Sequence, residues 1–290
     1  MNNLNQSQIL LIGYDSYIGG EFAKHWKLMS LGSLLKTSRQ PTSLDVTTLD
    51  LPYVDSYPEA IDFIKNSNVI VFLAGISAAS YINSFPIESR NINLLGLTNV
   101  IKESRKDCKF IYLSSSRCFD GNSPNYSSLT PPCPIDEYGY QKSNAEKLIL
   151  SQRPKSAVVR LSKVINPHEA FFRKSLSALK IGEPVFASKL KFVSPLSSNI
   201  VSKVITHIIK EEVTGLLHFS PLPYLSYFTL LNEIADFYNL PKSLIREQIG
   251  LTPLHKYDSL QSSDCFSAIG TELSSVIEET FGSSIDTLRL

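Results

Sequence analysis

The run Ile9-Leu10-Leu11-Ile12-Gly13-Tyr14-Asp15-Ser16-Tyr17-Ile18-Gly19 predicts a buried strand, a tight turn and the start of a helix. Four consecutive apolar residues before Gly13 are typical of a strand that is covered on both faces. The helix predicted over residues 17–29 carries Phe22 and Trp26 on one side, which is the spacing of a face packed against a core. Glycine at both ends of the turn permits a sharp connection and close packing of the helix on the strand.

The same alternation continues through the first half of the chain. Further apolar strands are predicted at residues 34–37, 69–73, 110–113 and 157–161, and helices at residues 57–65, 90–105 and 136–150. This pattern predicts an α/β fold with a doubly wound parallel sheet of the Rossmann type. Beyond about Asn166 the rhythm changes, which indicates a smaller, mixed C-terminal lobe. We therefore divide the chain into residues 1–165 and 166–290, with the second lobe interleaved with the first.

Composition and charge narrow the function classes. The 290 residues include 28 Lys and Arg against 27 Asp and Glu, so a net charge of +1 gives no argument for nucleic-acid or membrane binding. The four cysteines show no Cys-x-x-Cys spacing, so we expect no metal site and a reducing compartment. The polar start and the lack of an apolar run near ~20 residues favour a cytoplasmic protein without a membrane span.

The first turn is a candidate phosphate-binding site. A pyrophosphate could rest on the exposed N–H groups at the N-terminus of the first helix. Ser16 replaces the usual middle glycine, and its hydroxyl could bond a phosphate oxygen. An ordinary strand–turn–helix is the alternative. The residues expected to contact a dinucleotide at this turn are Gly13, Tyr14, Ser16, Tyr17, Ile18 and Gly19.

The end of the second strand predicts which dinucleotide binds. Sites selective for NAD carry an Asp or Glu there, which accepts hydrogen bonds from the ribose hydroxyls. This chain carries Ser38 and Arg39 instead. The planar fork of arginine suits a 2′-phosphate, and Ser38 could donate one more bond. We therefore expect NADP(H) to be preferred, with NAD(H) still an option and a solvated surface arginine as the alternative.

Two further segments fit a dinucleotide. Asp50 and Leu51 follow a loop and could bond and pack against the adenine edge. The third strand ends in Leu73-Ala74-Gly75, whose small residues would let the backbone pass close to a cofactor. Small residues also end strands for packing reasons, so neither segment is specific by itself.

Tyr138 and Lys142 form the main candidate for chemistry. They stand four residues apart in a predicted helix, which places a phenol and an ammonium on one face. A tyrosine titrates near ~10 in water, and a neighbouring lysine favours the phenolate and brings the pKa toward the working range. Upstream, a predicted strand ends in Ser114-Ser115-Ser116, where a hydroxyl could bond the oxygen of a reacting carbonyl. An exposed helical pair and a serine-rich turn are the alternatives.

At this point the chain resembles the extended short-chain dehydrogenase/reductase family, which includes the NAD(P)-dependent sugar-nucleotide epimerases, dehydratases and reductases. The motifs run in family order over most of the chain. They are Gly13 with Gly19, Leu73-Ala74-Gly75, Asn93-Leu94-Leu95-Gly96, Tyr112-Leu113-Ser114-Ser115 with Phe119-Asp120-Gly121, Tyr138-Gly139-x-x-Lys142, and Val159-Arg160-Leu161.

The resemblance assigns roles to the candidate residues. In the family, the catalytic hydroxyl lies four residues before an aromatic residue, and counting back from Phe119 gives Ser115, with Ser114 and Ser116 as neighbours that leave an ambiguity. Tyr138 would be the proton donor or acceptor, and Lys142 would bind the nicotinamide ribose and tune the tyrosine. Asn93 would support the cofactor crevice, and residues 166–290 would bind the substrate.

The residues of the turn that follows the predicted strand at 110–113 distinguish the branches of the family. Dehydratases carry an Asp-Glu pair after the catalytic hydroxyl, where this chain has Ser116 and Arg117. The C-terminal order is similar to that of the dTDP-4-dehydrorhamnose reductases, although their Thr-Asp-Tyr is replaced by Ser115-Ser116-Arg117. The resemblance thus implies an NADPH-dependent reductase of a 4-keto (deoxy)sugar attached to a nucleotide. The alternatives are an NAD-dependent sugar-nucleotide epimerase and a non-catalytic dinucleotide-binding protein of the same fold. Relatives that dimerise through the helices at 90–105 and 136–150 make a homodimer an option.

Overall fold

The computed structural model describes residues 8–41, 43–250 and 252–282. The ends of the predicted domain ranges, at 1–7 and 283–290, lie outside the described residues. The strands of the described part are β1 (Ile9–Ile12), β2 (Leu34–Ser38), β3 (Thr47–Thr48), β4 (Val69–Phe72), β5 (Lys109–Ser115), β6 (Ala157–Leu161), β7 (Lys163–Val164), β8 (Val185–Ala187), β9 (Phe192–Val193), β10 (Pro195–Leu196), β11 (Gly215–Phe219), β12 (Leu225–Ser226), β13 (Ile245–Glu247) and β14 (Tyr257–Asp258).

Helices alternate with these strands. The α-helices of the same residues are α1 (Tyr17–Leu28), α2 (Pro58–Asn66), α3 (Ala79–Ser84), α4 (Pro86–Arg90), α5 (Gly96–Glu103), α6 (Glu137–Gln152), α7 (Ala170–Lys180), α8 (Ser198–Lys210), α9 (Tyr227–Phe237) and α10 (Leu273–Phe281). The helix predicted at residues 90–105 is interrupted, because a π-helical turn at Asn91–Leu95 separates α4 from α5. Such turns re-aim side chains and are frequent at functional sites.

Seven strands of the described residues form one sheet in the order β11-β6-β5-β4-β1-β2-β3. The pairings of β1 with β2 and β4, of β2 with β3, and of β4 with β5 are parallel. The doubly wound parallel α/β fold is therefore confirmed. The strand order reverses between β1 and β4, and the carboxyl ends of two such strands frame the crevice where doubly wound folds bind ligands.

Burial explains why the central strands are almost wholly apolar. Every residue of β1 is buried, and the last three residues of β4 are as well. Helices cover the sheet, with Val100 and Ile101 of α5 and Ile149 of α6 among the buried core residues. A strand covered on both faces needs an apolar side chain at every position, not at alternate ones.

The chain divides into two compact units, and each is discontinuous in sequence. The first contains the described residues up to Phe119, together with Pro131–Arg160 and Val201–Leu217. The second contains Asp120–Thr130, Leu161–Ile200 and the described residues from His218 onward. The units therefore interchange more often than a single boundary at residues 165 and 166 implies. The reason is that β11 returns to the edge of the large sheet beside β6.

The second unit has its own core and short sheets. Phe172 of α7, Ile234 of α9 and Phe281 of α10 pack in one buried cluster. Strand β9 lies between β12 and β14 in a small mixed sheet, antiparallel to β12 and parallel to β14. Within the described residues, no helix combines the length and the apolar character that crossing a bilayer requires.

Candidate active site

The turn between β1 and α1 is built on two close backbone approaches. Gly13 has φ +96°, and a Cβ there would lie 2.5 Å from the amide nitrogen of Ala74 at the end of β4. A Cβ on Gly19 would lie 2.1 Å from the carbonyl oxygen of Gly13. Both positions therefore require glycine, and they bring the turn, the helix and the end of β4 together.

Ser16 is the N-cap of α1. Its hydroxyl donates to the carbonyl oxygen of Gly13 at 2.7 Å and accepts from the amide of Gly19 at 3.0 Å. The single hydroxyl proton is thus used inside the turn, whereas the sequence suggested a bond from this hydroxyl to phosphate. Capping satisfies one of the unpaired N–H groups at the helix start and fixes the direction of the helix.

A cavity of about 200 Å³ opens at the carboxyl ends of β1, β2 and β4. Eight residues that the sequence predicts to bind the cofactor line it: Gly13, Ser16, Ser38, Arg39, Asp50, Leu51, Ala74 and Gly75. The lining also includes residues that the sequence did not indicate: Ile12, Asp15, Thr37, Leu49, Ile76 and Ile92. The remaining predicted residues lie outside this lining: Tyr14, Tyr17, Ile18, Gly19, Leu73, Asn93, Tyr138 and Lys142.

Two side chains of the cavity lining, Arg39 and Thr37, suit an anionic, hydroxyl-bearing ligand. Arg39 is exposed and forms no ion pair with a described residue. The buried hydroxyl of Thr37 has no hydrogen-bond partner among the described residues. A buried hydroxyl without a partner lowers the stability of the fold unless a ligand or a water molecule supplies the hydrogen bond. With the crowded glycine turn, these groups fit the phosphate and ribose of a dinucleotide.

Asn93 holds the backbone of Ile76, a residue of the cavity lining, through hydrogen bonds. Its Oδ1 accepts from the amide of Ile76 at 2.7 Å, and its Nδ2 donates to the Ile76 carbonyl oxygen at 3.0 Å. The same Nδ2 donates to Oε1 of Gln141 in α6 at 2.7 Å. A Cβ on Gly75, which has φ +142°, would lie 2.8 Å from Asn93 Oδ1. One amide thus fixes the loop after β4 and links it to α6.

Ser114 and Ser115 have different surroundings at the end of β5. Ser114 is buried and hydrogen-bonds the carboxylate of Glu146. That carboxylate receives Arg160 Nη2 at 2.7 Å and Nε at 2.9 Å in an ion pair whose side chains are 1% and 4% exposed. Ser115 is only half-buried, and its Oγ accepts from the amide of Arg117 at 3.2 Å. Ser114 thus bonds within the core, whereas the Ser115 hydroxyl donates to no acceptor among the described residues.

Tyr138 and Lys142 lie on α6 and share one site. The Lys142 ammonium is 5.8 Å from the Tyr138 ring centroid and 4.6 Å from that of Tyr112. Burial lowers the pKa of Lys142 to about 8, although the fields of Cys118 and Glu146 oppose the shift. Burial also raises the pKa of Tyr112 well above its usual value, so that phenol stays neutral. The arrangement can transfer a proton between a phenol and a substrate oxygen beside a cationic group.

Some site features have no local sequence signal. The guanidinium of Arg117 pairs with Asp136, and nothing in the intervening residues indicates it. Arg160 offered a clue, since a charged residue inside an apolar strand implies a buried partner. Residues 120–130 are tied to the later part of the second unit by two backbone hydrogen bonds: Tyr257 N donates to Gly121 O at 3.0 Å and Gln261 N to Tyr126 O at 3.1 Å.

Comparisons with known proteins agree with the fold. Residues 7–256 match the family model described as RmlD substrate binding domain. Methionine adenosyltransferase 2 subunit beta from Xenopus tropicalis is 25% identical over 202 residues, which are 64% of this chain and 60% of that protein. The chain thus spans about 60% of the length of this relative. A dTDP-4-dehydrorhamnose reductase from Aggregatibacter actinomycetemcomitans is 22% identical over 79% of each chain.

Solved structures share the fold. A hypothetical dTDP-4-dehydrorhamnose reductase from Sulfolobus tokodaii superposes with a TM-score of 0.78 at 23% identity, covering 92% of this chain and 96% of that one. The Bacillus anthracis dTDP-4-dehydrorhamnose reductase in complex with NADP gives a TM-score of 0.78 at 18% identity, covering 96% and 99%. Likeness at this identity establishes the fold. Because the family model matches residues 7–256, which are most of the chain, the chain belongs to the RmlD substrate binding domain family.

Proposed function

We propose that this protein is an NADPH-dependent reductase of a 4-keto (deoxy)sugar attached to a nucleotide. The observation that carries the proposal is the placement of Ser115, Tyr138 and Lys142 in the same unit as a cavity suited to a dinucleotide. A sensor that only binds a dinucleotide has no need of a proton-transfer set. The names of the relatives, which include reductases of a nucleotide-linked keto sugar, support the substrate class.

Ser115, Tyr138 and Lys142 would each have a separate role in the reduction of a carbonyl group. A bound nicotinamide would supply hydride to the keto carbon. Ser115 would donate its hydroxyl proton as a hydrogen bond to the carbonyl oxygen, which orients and polarises it. Tyr138 would protonate that oxygen as negative charge develops there. Lys142, whose ammonium stands close to the Tyr138 ring, would favour the phenolate left behind and so ease the proton transfer.

Arg39 would select the dinucleotide, and Thr37 would help to bind it. Arg39 would hold the 2′-phosphate of NADP(H) in two places, and no acid stands at the end of β2 to accept the ribose hydroxyls of NAD(H). The Thr37 hydroxyl, which has no partner in the described part of the chain, would gain a hydrogen bond from the ligand. The nicotinamide end would extend toward Lys142, which would bond the ribose.

Turnover with a panel of nucleotide-linked sugars tests this function. We expect NADPH oxidation that depends on a 4-keto sugar nucleotide and gives the corresponding alcohol. Release of a stoichiometric, tightly held NAD from the purified protein, with interconversion of two sugar epimers and no net oxidation, would show an epimerase instead. Failure of every carbonyl substrate despite NADPH binding would reject both enzymes.

A second candidate function follows from the names of other relatives. Several proteins with 24–25% identity to this chain are named methionine adenosyltransferase 2 subunit beta, so a role as a subunit of another enzyme is the alternative. Co-purification with a methionine adenosyltransferase catalytic chain, together with no carbonyl reduction, would favour it over the reductase.

A further inference from the structure

Arg117 stands between the catalytic serine and the helix that carries the catalytic tyrosine. Its amide donates to Ser115 Oγ at 3.2 Å, and its guanidinium pairs with the carboxylate of Asp136. The two paired side chains are 24% and 16% exposed. Partial burial protects such a pair from screening, so it constrains geometry more than an exposed pair does.

Asp136 connects Arg117 to the start of α6. It is the N-cap of the helix, and its Oδ1 accepts from the amide of Gly139 at 2.8 Å while its Oδ2 receives Arg117. Tyr138 lies in the first turn that this cap organises. A single carboxylate therefore joins the turn after Ser115 to the backbone on either side of Tyr138.

The backbones of the turn and the helix are also in direct contact. A Cβ on Gly139 would lie 2.1 Å from the carbonyl oxygen of Arg117 and 2.8 Å from Cβ of Pro134. The amide of Cys133 donates to the carbonyl oxygen of Cys118 at 2.9 Å, which ties the segment before α6 to the same turn. We call this contact between residues 115–118 and the start of α6 the junction. The close contact at Gly139 leaves no room for the turn and the helix to approach further, and the Arg117–Asp136 pair and the Cys133–Cys118 bond resist their separation.

We propose that Arg117 is a positioning residue, which fixes Ser115 relative to Tyr138 through its pair with Asp136. The catalytic consequence rests on the proposed function, because it assumes that both hydroxyls act on one substrate oxygen. A displacement of about 1 Å between such groups lowers the rate by about a hundredfold. Because the guanidinium is held by Asp136, its role is to hold the site together rather than to bind the substrate.

Three variants and one control test the proposal. Arg117→Met keeps the aliphatic stem and removes the pair, Arg117→Lys restores a cation, and Asp136→Asn keeps the helix cap but loses the charge. Arg90→Met is the matched control, because Arg90 forms a two-pronged ion pair with Glu137, the residue next to Asp136. The measurements are amide hydrogen exchange of α6, kcat, KM for NADPH, and the kinetic isotope effect with NADPH deuterated at the transferred position.

We expect Arg117→Met and Asp136→Asn each to speed amide exchange at Gly139 and Tyr140 by about fivefold or more, without a change in the rest of α6. We also expect kcat to fall by about tenfold to a hundredfold with KM for NADPH unchanged, and the isotope effect to rise because chemistry becomes limiting. A further variant that combines Arg117→Met with Asp136→Asn should lose no more kcat than the worse of these two single variants, and Arg117→Lys should recover part of the loss.

Two results would overturn the proposal. Unchanged exchange at Gly139 and Tyr140 in Arg117→Met would show that the pair does not hold the junction, whatever the activity. Faster exchange with wild-type kcat and isotope effect would show that the junction does not position the catalytic groups. If the wild-type protein reduces no carbonyl substrate, the proposed function fails, and the exchange measurement alone still decides whether Arg117 holds the junction.

Discussion

The ammonium of Lys142 donates a hydrogen bond to the main-chain carbonyl oxygen of Leu113 at 2.8 Å. This bond joins α6 to β5 two residues before Ser115, so the lysine fixes the two elements that carry the serine and the tyrosine. The cost is the desolvation of a cation, which lowers the pKa of Lys142 to about 8. A residue that is kept at such a cost is a candidate for function rather than stability.

The pH dependence of stability should report this cost. The unfolded chain binds a proton at Lys142 up to about pH 10.4, whereas the folded chain releases it near pH 8. Between these values the unfolded state binds more protons, so stability rises with pH in this window. We expect the free energy of unfolding of the wild type, relative to Lys142→Met, to increase from pH 7 to pH 10 in denaturant titrations without cofactor. A difference that is flat or falls with pH would contradict the account.

Substitution of Ser115 should affect activity, and substitution of the adjacent Ser114 should affect stability. Ser115→Ala should lower kcat by about a hundredfold, as removal of one oxyanion donor does, with almost no change in stability. Ser114→Ala should instead lower the free energy of unfolding by about 1–3 kcal/mol, because buried Glu146 loses a partner, and should keep kcat. Kinetics and urea denaturation of both variants check this, and the reverse pattern would assign the catalytic role to Ser114.

Arg39 should control the choice of dinucleotide. Arg39→Ala should weaken NADPH binding by about tenfold or more, because charged hydrogen bonds contribute about 1.5–3 kcal/mol, and should leave NADH binding unchanged. Lys36→Ala is the control, since Lys36 is a nearby cation that pairs with Asp45 and does not line the cavity. Fluorescence titration measures both affinities. An equal loss for NADPH and NADH would mean that Arg39 does not contact a 2′-phosphate.

Asn93 should affect both dinucleotides alike. Asn93→Ala frees the amide and the carbonyl of Ile76, which lines the cavity, so the loop after β4 loses its support. We expect NADPH and NADH affinities to fall by a similar factor, at a cost in stability of about 1–3 kcal/mol. A loss confined to one of the two dinucleotides would show that Asn93 contacts the ligand directly.

The sheet and its ligand crevice could be predicted from sequence because their signals are local. Apolar runs, glycine turns and strand–helix alternation each depend on neighbouring residues. Parallel pairing then brings the ends of β1, β2 and β4 to one edge, as the rules for doubly wound folds require. Arg39 and Asp50 accordingly line one cavity although they lie outside the glycine turn.

Other parts of the site depend on contacts that the sequence does not encode locally. Strand β5 is buried almost throughout, so its composition does not show which face each serine takes. The bond from Ser114 to Glu146 spans 32 positions, and the ties between 120–130 and 257–261 span more than a hundred. Such pairings follow only from the assembled fold.

The most direct test of the central claim compares two tyrosines in one turn of α6. Tyr138→Phe removes the proposed proton donor, and Tyr140→Phe alters a neighbour whose side chain is 53% exposed. With NADPH and a nucleotide-linked 4-keto sugar, we predict that Tyr138→Phe slows reduction by about a thousandfold while it still binds NADPH, and that Tyr140→Phe matches the wild type. Undiminished reduction by Tyr138→Phe would contradict the account.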